Sequence, residues 1–211
     1  IDAGTFDWTN GKFHEFTQPS QGYHGLVYSE VLESAAFIAK VRIEGLRDYG
    51  GALSPFNAFQ IIQGLETLEL RIQKHSENAL ELAEWLQKQP EVKWVNYPGL
   101  KSSPFKQLAD EYLPKGQSGI VTFGVHGGYE AAKIIADRTK LFSLLANIGD
   151  TKSLIIHPAS TTHQQLSDDA QLSTGVTKDL IRLSVGIENI EDLKSDLREV
   201  FVLLKTKELQ D

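Results

Sequence analysis

The segment Leu180-Ile181-Arg182-Leu183-Ser184-Val185-Gly186-Ile187 constrains this 211-residue chain more than any other. Ile181, Leu183, Val185 and Ile187 alternate with the remaining positions, the period-two pattern of a strand buried mainly on one face. The opposite face receives Arg182 and Ser184. A guanidinium in mid-strand is costly to bury alone. It snorkels to the surface, joins an internal salt bridge, or meets an anion in a wet cleft. Arg is the side chain whose planar fork best matches a carboxylate. The surrounding stretch, 146–188, also holds Asn147, His157, Ser160, Thr161, Thr162 and His163. It reads as one wall of a small-anion site.

Around that strand, residues 90–211 alternate strand and helix patterns. Strands are expected at 92–97 and 119–125, with two apolar segments near 141–148 and 153–156. Helices are expected at 104–112, at 129–139 with Ala131, Ala132, Ile135 and Ala136 inward, and from an Asn189 cap to about 207. The last presents Ile190, Leu193, Leu197, Val200, Phe201 and Leu204. Helices on one face of a small, mostly antiparallel sheet is the economical arrangement, an α+β layer. Upstream, Ser54 and Pro55 make a helix start. Apolar positions from Phe56 to Leu86 keep helical spacing to about Gln89. Roughly 33 residues at about 1.5 Å each would span about 50 Å, with Gly64 or Ser76 as points of weakness. Residues 1–55 are glycine-rich and aromatic, with one helix expected at 31–46 and too little core to stand alone.

Composition removes several classes. The net charge of −7 argues against a nucleic-acid binder. No apolar run reaches membrane-spanning length, and no basic-then-apolar leader opens the chain. The absence of cysteine excludes disulfides, thiolate metal sites and a cysteine nucleophile, and is compatible with a reducing cytosol. The chain also lacks methionine and opens Ile1-Asp2-Ala3-Gly4, from which a fragment is expected.

Motif spacing narrows the chemistry. His157 and His163 lack HExxH spacing and an offset carboxylate, so they are expected to be hydrogen-bonding loop residues and no metal is expected. Ser160, His163 and Asp168 lack the nucleophile elbow of a hydrolase. Neither glycine-rich phosphate motif occurs. The HPASTTH loop allows a tight backbone path whose hydroxyls either satisfy buried backbone groups or line a polar pocket.

Four motifs occur in order: SPFNAFQIIQGLETLELRIQKH at 54–75, NYPGL at 96–100, SLIIHPASTTH at 153–163 and IRLSVGIE at 181–188. Together they resemble the trans-sulfuration family of pyridoxal-phosphate enzymes acting on cysteine, homocysteine and methionine. IDAGTFDW at the start, YHGLVY at 23–28 and ANIGDTKSL at 146–154 are similar to its O-acetylhomoserine sulfhydrylase branch. The resemblance covers essentially the whole chain.

That resemblance implies the C-terminal portion of a fold-type I, aspartate-aminotransferase-like α/β enzyme. Residues 1–55 would be the tail of the large cofactor domain, 56–89 a long connecting helix, and 90–211 the small C-terminal α+β domain. It implies that Arg182 grips the substrate α-carboxylate, that Asn147 supports the same group where related lyases carry serine, and that Thr162 faces the active site. Pyridoxal 5'-phosphate is the implied cofactor. Its Schiff-base lysine would lie upstream, since Lys140, Lys152 and Lys178 do not match it, so this chain alone is expected to be inactive. The implied reaction is γ-replacement on O-acetylhomoserine by sulfide or a thiol, giving homocysteine or a thioether. Alternatives are a cystathionine or methionine γ-lyase, a cystathionine γ-synthase, or a non-catalytic assembly module. A cytoplasmic homotetramer, a dimer of dimers joined to the missing N-terminal half, is the implied assembly.

Overall fold

The computed structural model describes residues 3–208. The chain divides into two compact units, 1–63 and 64–211, each considered by itself.

The first unit is a string of short helical turns. These are α1 (His14–Thr17), a 3₁₀ turn at Gln21–Tyr23, α2 (Tyr28–Val31), a 3₁₀ turn at Glu33–Ala35 and α3 (Ala36–Lys40). A π-helical run, Val41–Asp48, continues directly from α3. The single helix expected at 31–46 therefore starts late, because Glu33 takes a left-handed φ of 41° that no α-helix accommodates. An aromatic cluster stands in for a large core. Phe16, Tyr28 and Ala36 are buried, with Trp8, Phe13, Leu26, Leu32 and Ile43 packed on them. Trp8 and Phe16 stack at 4.0 Å between ring centroids.

Ser54 accepts a hydrogen bond from the Asn57 amide at 3.1 Å, the N-cap its position predicts, and α4 runs Pro55–Glu66. The apolar stripe does not continue as one helix to Gln89. Thr67 leaves helical geometry at φ −110°, ψ 7°, and α5 begins anew at Leu68–Leu86. Arg71 stabilises the break, its guanidinium donating to the Gly64 carbonyl at 2.5 Å and to Thr67 Oγ1 at 3.3 Å. The expected weak points, Gly64 and Ser76, lie within helices. Phe56, Phe59, Ile62, Leu65, Leu68 and Ile72 are exposed, and only the later positions Ala79, Leu82, Ala83 and Leu86 are buried.

The second unit holds a five-stranded mixed sheet of order β1-β2-β5-β4-β3. The strands are β1 (Val92–Asn96), β2 (Ile120–Val125), β3 (Ser143–Leu144), β4 (Leu154–Ile156) and β5 (Leu180–Ser184). All neighbours are antiparallel except β3 with β4. Alternation decides the faces. Val121, Phe123 and Val125 of β2, Ile155 of β4 and Ile181 and Leu183 of β5 share a core with α5, α7 (Gly128–Arg138) and α9 (Ile190–Glu208). Leu193, Leu197, Val200, Phe201 and Leu204 of α9 and Ala131, Ala132, Ile135 and Ala136 of α7 are buried as their spacing predicts. Asn189 caps α9 by accepting the Glu191 amide at 2.9 Å. The smaller helices are α6 (Lys106–Tyr112) and α8 (Asp168–Ser173). No described helix is long and apolar enough to cross a membrane.

One expectation fails at the end of β5. Ile187 does not extend the buried face, because the strand stops at Ser184 and Ile187 is 38% exposed. The chain there turns into a polar lock. Glu188 accepts the Ser153 amide at 2.6 Å and the Ser153 hydroxyl at 2.9 Å, while Ser153 Oγ accepts the Gly186 amide at 2.7 Å. Asn78 of α5 donates to the carbonyls of Gly186 and Glu188 at 3.0 and 2.9 Å. A Cβ at Gly186 would stand 2.3 Å from Glu188 Oε2 and 2.4 Å from the Thr151 carbonyl, so only glycine closes this turn.

Candidate carboxylate site

Arg182 stands on the sheet face opposite the helices. Its register partners are Thr122 of β2 and Ile156 of β4, and Thr122 in turn faces Asn96 of β1. This gives a row, Asn96–Thr122–Arg182–Ile156, across four strands. The guanidinium is half-buried and has no ion-pair or hydrogen-bond partner among the described residues. A fixed five-donor fork held in place by strand backbone, with no internal acceptor, is suited to an external oxyanion.

Asn147 lies in the turn that precedes β4. Its Oδ1 accepts the amide of the next residue, Ile148, at 2.9 Å, which holds the side chain close to the backbone. Its Nδ2 has no partner among the described residues and is left to donate. Gly149 takes φ 77° at this turn, a conformation open to glycine, and donates its amide to Ser184 Oγ at 3.3 Å. Ser184 shares its strand face with Arg182, two residues away. Asn147 and Arg182 are thus anchored to neighbouring pieces of the same sheet, and both present donors.

Thr162 belongs to the loop that leaves β4 directly after Ile156, the register partner of Arg182. It is exposed, and its hydroxyl is paired with His163 Nδ1 at 2.8 Å. The rest of that loop is internally bonded. His157 is fully buried, with Nε2 donating to the Lys178 carbonyl at 2.9 Å and Nδ1 2.8 Å from the Ser160 hydroxyl. Burial holds its pKa below the ordinary 6.5, against the opposing hydrogen bond to Lys178. Thr161 bonds the His157 carbonyl at 2.8 Å, and Gln171 donates to the His163 carbonyl at 2.9 Å. Of the two readings open for the HPASTTH loop, backbone satisfaction accounts for His157, Ser160 and Thr161, leaving Thr162 turned outward. No group of three or more metal-ligating side chains occurs among the described residues.

The row beside Arg182 carries no amine. Lys178 pairs with Asp168 at 2.6 Å and Lys140 with Glu199 at 2.9 Å, while Lys152 is exposed beyond the turn. Glu188 and Asn78 were not singled out by sequence reasoning. Their importance lies in contacts across more than thirty and one hundred residues, which no local pattern signals.

Comparison with known proteins identifies the family of the chain. The chain is 55% identical over 208 residues to the O-acetyl-L-homoserine sulfhydrylase of Leptospira meyeri, covering 94% of this chain and 47% of that protein. It is 51% identical over 199 residues to O-acetyl-L-homoserine sulfhydrylase 1 of Thermus thermophilus, again covering 94% and 47%. The crystal structure of a putative O-acetylhomoserine (thiol)-lyase from Campylobacter jejuni, containing a pyridoxyl-lysine phosphate group, superposes with a TM-score of 0.76 at 46% identity. That match covers 89% of this chain and 44% of the other. The chain therefore spans about half the length of the relatives it matches. The family model for Cys/Met metabolism PLP-dependent enzymes matches residues 14–202, and the chain belongs to that family.

Proposed function

We propose that this chain supplies the substrate-carboxylate site of a pyridoxal-phosphate-dependent γ-replacement enzyme that converts O-acetylhomoserine and sulfide, or a thiol, into homocysteine, or a thioether, and acetate. The observation that carries this reading is Arg182, a half-buried guanidinium held on β5 without a partner among the described residues. The free Nδ2 of Asn147 supports it. Two donors of this kind hold an α-carboxylate in one plane and so fix the orientation of the Cα–H bond, the contribution a protein makes to such chemistry. Thr162 is the third residue assigned to the site, positioned by the loop that follows Ile156.

The described residues do not by themselves fit the cofactor. The row beside Arg182 offers no amine to hold its aldehyde, and Lys140 and Lys178 are committed to ion pairs. This chain's part is to bind and orient the amino acid, and alone it is inactive. The Schiff-base lysine and most cofactor contacts come from a polypeptide corresponding to the other half of the matched relatives. The exposed apolar row Phe56, Phe59, Ile62, Leu65 and Leu68 supports burial against another polypeptide in a tetrameric assembly. In this reading residues 1–55 complete the large domain and 90–211 form the small one.

Co-expression with the upstream half of a sulfhydrylase relative tests the reading. The expected result is restored pyridoxal-phosphate absorbance with acetate release from O-acetylhomoserine that depends on sulfide. A reconstituted complex that binds the cofactor without such turnover rejects the substrate assignment. Turnover that proceeds equally without sulfide assigns a γ-lyase instead.

A further inference from the structure

A second cavity, of about 300 Å³, opens where β2 begins and β5 ends. Neither residue of the carboxylate site lines it, but chain neighbours of both do. Ile148 and Gly149 follow Asn147 in the chain, and Ser184 lies two residues beyond Arg182 on the same face, about 7 Å along the strand. The remaining lining is mostly apolar, with Ile72, Leu113, Ile120 and Val185, and it includes no charged side chain. His75 of α5 is the exception in chemistry. It is 2% exposed, its Nδ1 lies 2.6 Å from the Val185 carbonyl, and its Nε2 is buried with no hydrogen-bond partner.

The carbonyl dictates the tautomer. Val185 O can only accept, so Nδ1 carries a proton, and in the Nδ1–H tautomer Nε2 is a bare acceptor. A buried acceptor without a donor costs about 1–3 kcal/mol, and such a group in a cavity wall calls for a donor from whatever fills the cavity. Gly119 leaves room for His75 to approach: a Cβ there would stand 3.2 Å from His75 Cβ and 3.1 Å from the Val185 carbonyl. The missing ligand is small, neutral and mostly apolar, and it brings one donor. An ester brings only acceptors, and an anion finds no positive partner in this lining. A thiol has a soft apolar body and one weak S–H donor.

We infer that this cavity is the subsite for the thiol or hydrogen sulfide co-substrate, with His75 as its positioning residue. The inference rests on the γ-replacement reading above, in which the amino acid's Cγ lies only a few bonds from a carboxylate held at Arg182 and Asn147. His75 Nε2 would receive the S–H of the incoming sulfur compound, and Ile120, Ile148 and Val185 would enclose its carbon side.

Binding is measurable without turnover. Because the chain has no cysteine, an added thiol cannot be captured by disulfide exchange. In the 211-residue chain labelled with ¹⁵N-histidine, ethanethiol is expected to shift the His75 Nε2 resonance saturably and at lower concentration than the smaller, less apolar ethanol, while methyl acetate, which has no donor, leaves it in place. His75→Gln identifies the resonance. Ile120→Phe fills the cavity without touching the ring and should abolish the ethanethiol response while the resonance remains. No saturable shift, a shift with ethanol at equal or lower concentration, or an equal shift with methyl acetate overturns the inference. In the reconstituted enzyme, His75→Gln is expected to raise KM for ethanethiol about tenfold, the loss of one buried hydrogen bond, with KM for O-acetylhomoserine little changed. Equal changes in both would mean structural support only and would overturn it. Ethanethiol binding at His75 in a complex that turns over no O-acetylhomoserine would separate the two claims, leaving the cavity assigned and rejecting the reaction.

Discussion

Gly149 donates its backbone N–H to Ser184 Oγ at 3.3 Å, and this bond ties the turn carrying Asn147 to the strand carrying Arg182. The two candidate carboxylate donors thus share a support two residues from each. Replacing the acceptor should therefore loosen the site before it loosens the fold. Ser184→Ala is expected to cost about 1 kcal/mol in stability, one neutral hydrogen bond. In the reconstituted enzyme it should raise KM for O-acetylhomoserine several-fold. Urea titration and initial-rate kinetics measure the two effects, and an unchanged KM would show that the turn is held by other means.

Arg182 should separate function from stability. Arg182→Lys keeps the charge but loses the bidentate fork, so amino-acid binding is expected to weaken by about tenfold to a hundredfold. Arg182→Leu removes a half-buried charge that has no partner among the described residues. In the isolated chain it should leave the urea midpoint unchanged or raise it. A clear loss of stability in Arg182→Leu would point to a structural ion pair instead.

The lock at the end of β5 is expected to be unforgiving. Gly186→Ala forces a methyl group against Glu188 Oε2 and the Thr151 carbonyl, with no flexible neighbour on the backbone side. A loss of about 3 kcal/mol is expected from such overpacking. Asn78→Ala leaves the Gly186 and Glu188 carbonyls short of a donor and should cost about 2 kcal/mol. Chemical denaturation of both variants checks the order.

His157 sets a pH dependence whose sign follows from burial. Its pKa in the fold lies below the ordinary 6.5 because burial disfavours the charged ring, so between those two values the unfolded chain binds a proton that the folded chain refuses. Its contribution to stability is complete above pH 6.5 and declines as pH falls from 6.5 toward the folded value, below which no further loss arises from this group. Urea midpoints of wild type and His157→Gln, measured from pH 7.5 to 5, should converge as pH falls. Parallel curves would remove His157 as the cause.

The sheet-facing residues were the most legible in the sequence. Alternation in β5 placed Ile181 and Leu183 in the core, and the same rule put Arg182 on the opposite face. Helical spacing gave the buried faces of α7 and α9, and the caps Ser54 and Asn189 did what their side chains predict. These are properties of a few neighbouring residues and of period, which local sterics and hydrogen bonding settle. The helix break at Thr67 escaped notice because apolar spacing runs straight through it, while the break depends on an Arg71 side chain reaching back to the Gly64 carbonyl.

By itself, then, the sequence determined the layer of helices on one face of a small sheet, an arginine on the other, and the motifs that identify the family. Tertiary structure decided what stands around that arginine. It ended β5 at Ser184 and turned Ile187 outward because Glu188, Ser153 and Asn78 converge on Gly186. It also set His75 against Val185, 110 residues away, and left its second nitrogen unpaired. Periodicity reports which side of an element is apolar. Only the packed chain shows which polar atoms find partners, and a ligand is assigned to three that do not among the described residues, the Arg182 guanidinium, Asn147 Nδ2 and His75 Nε2.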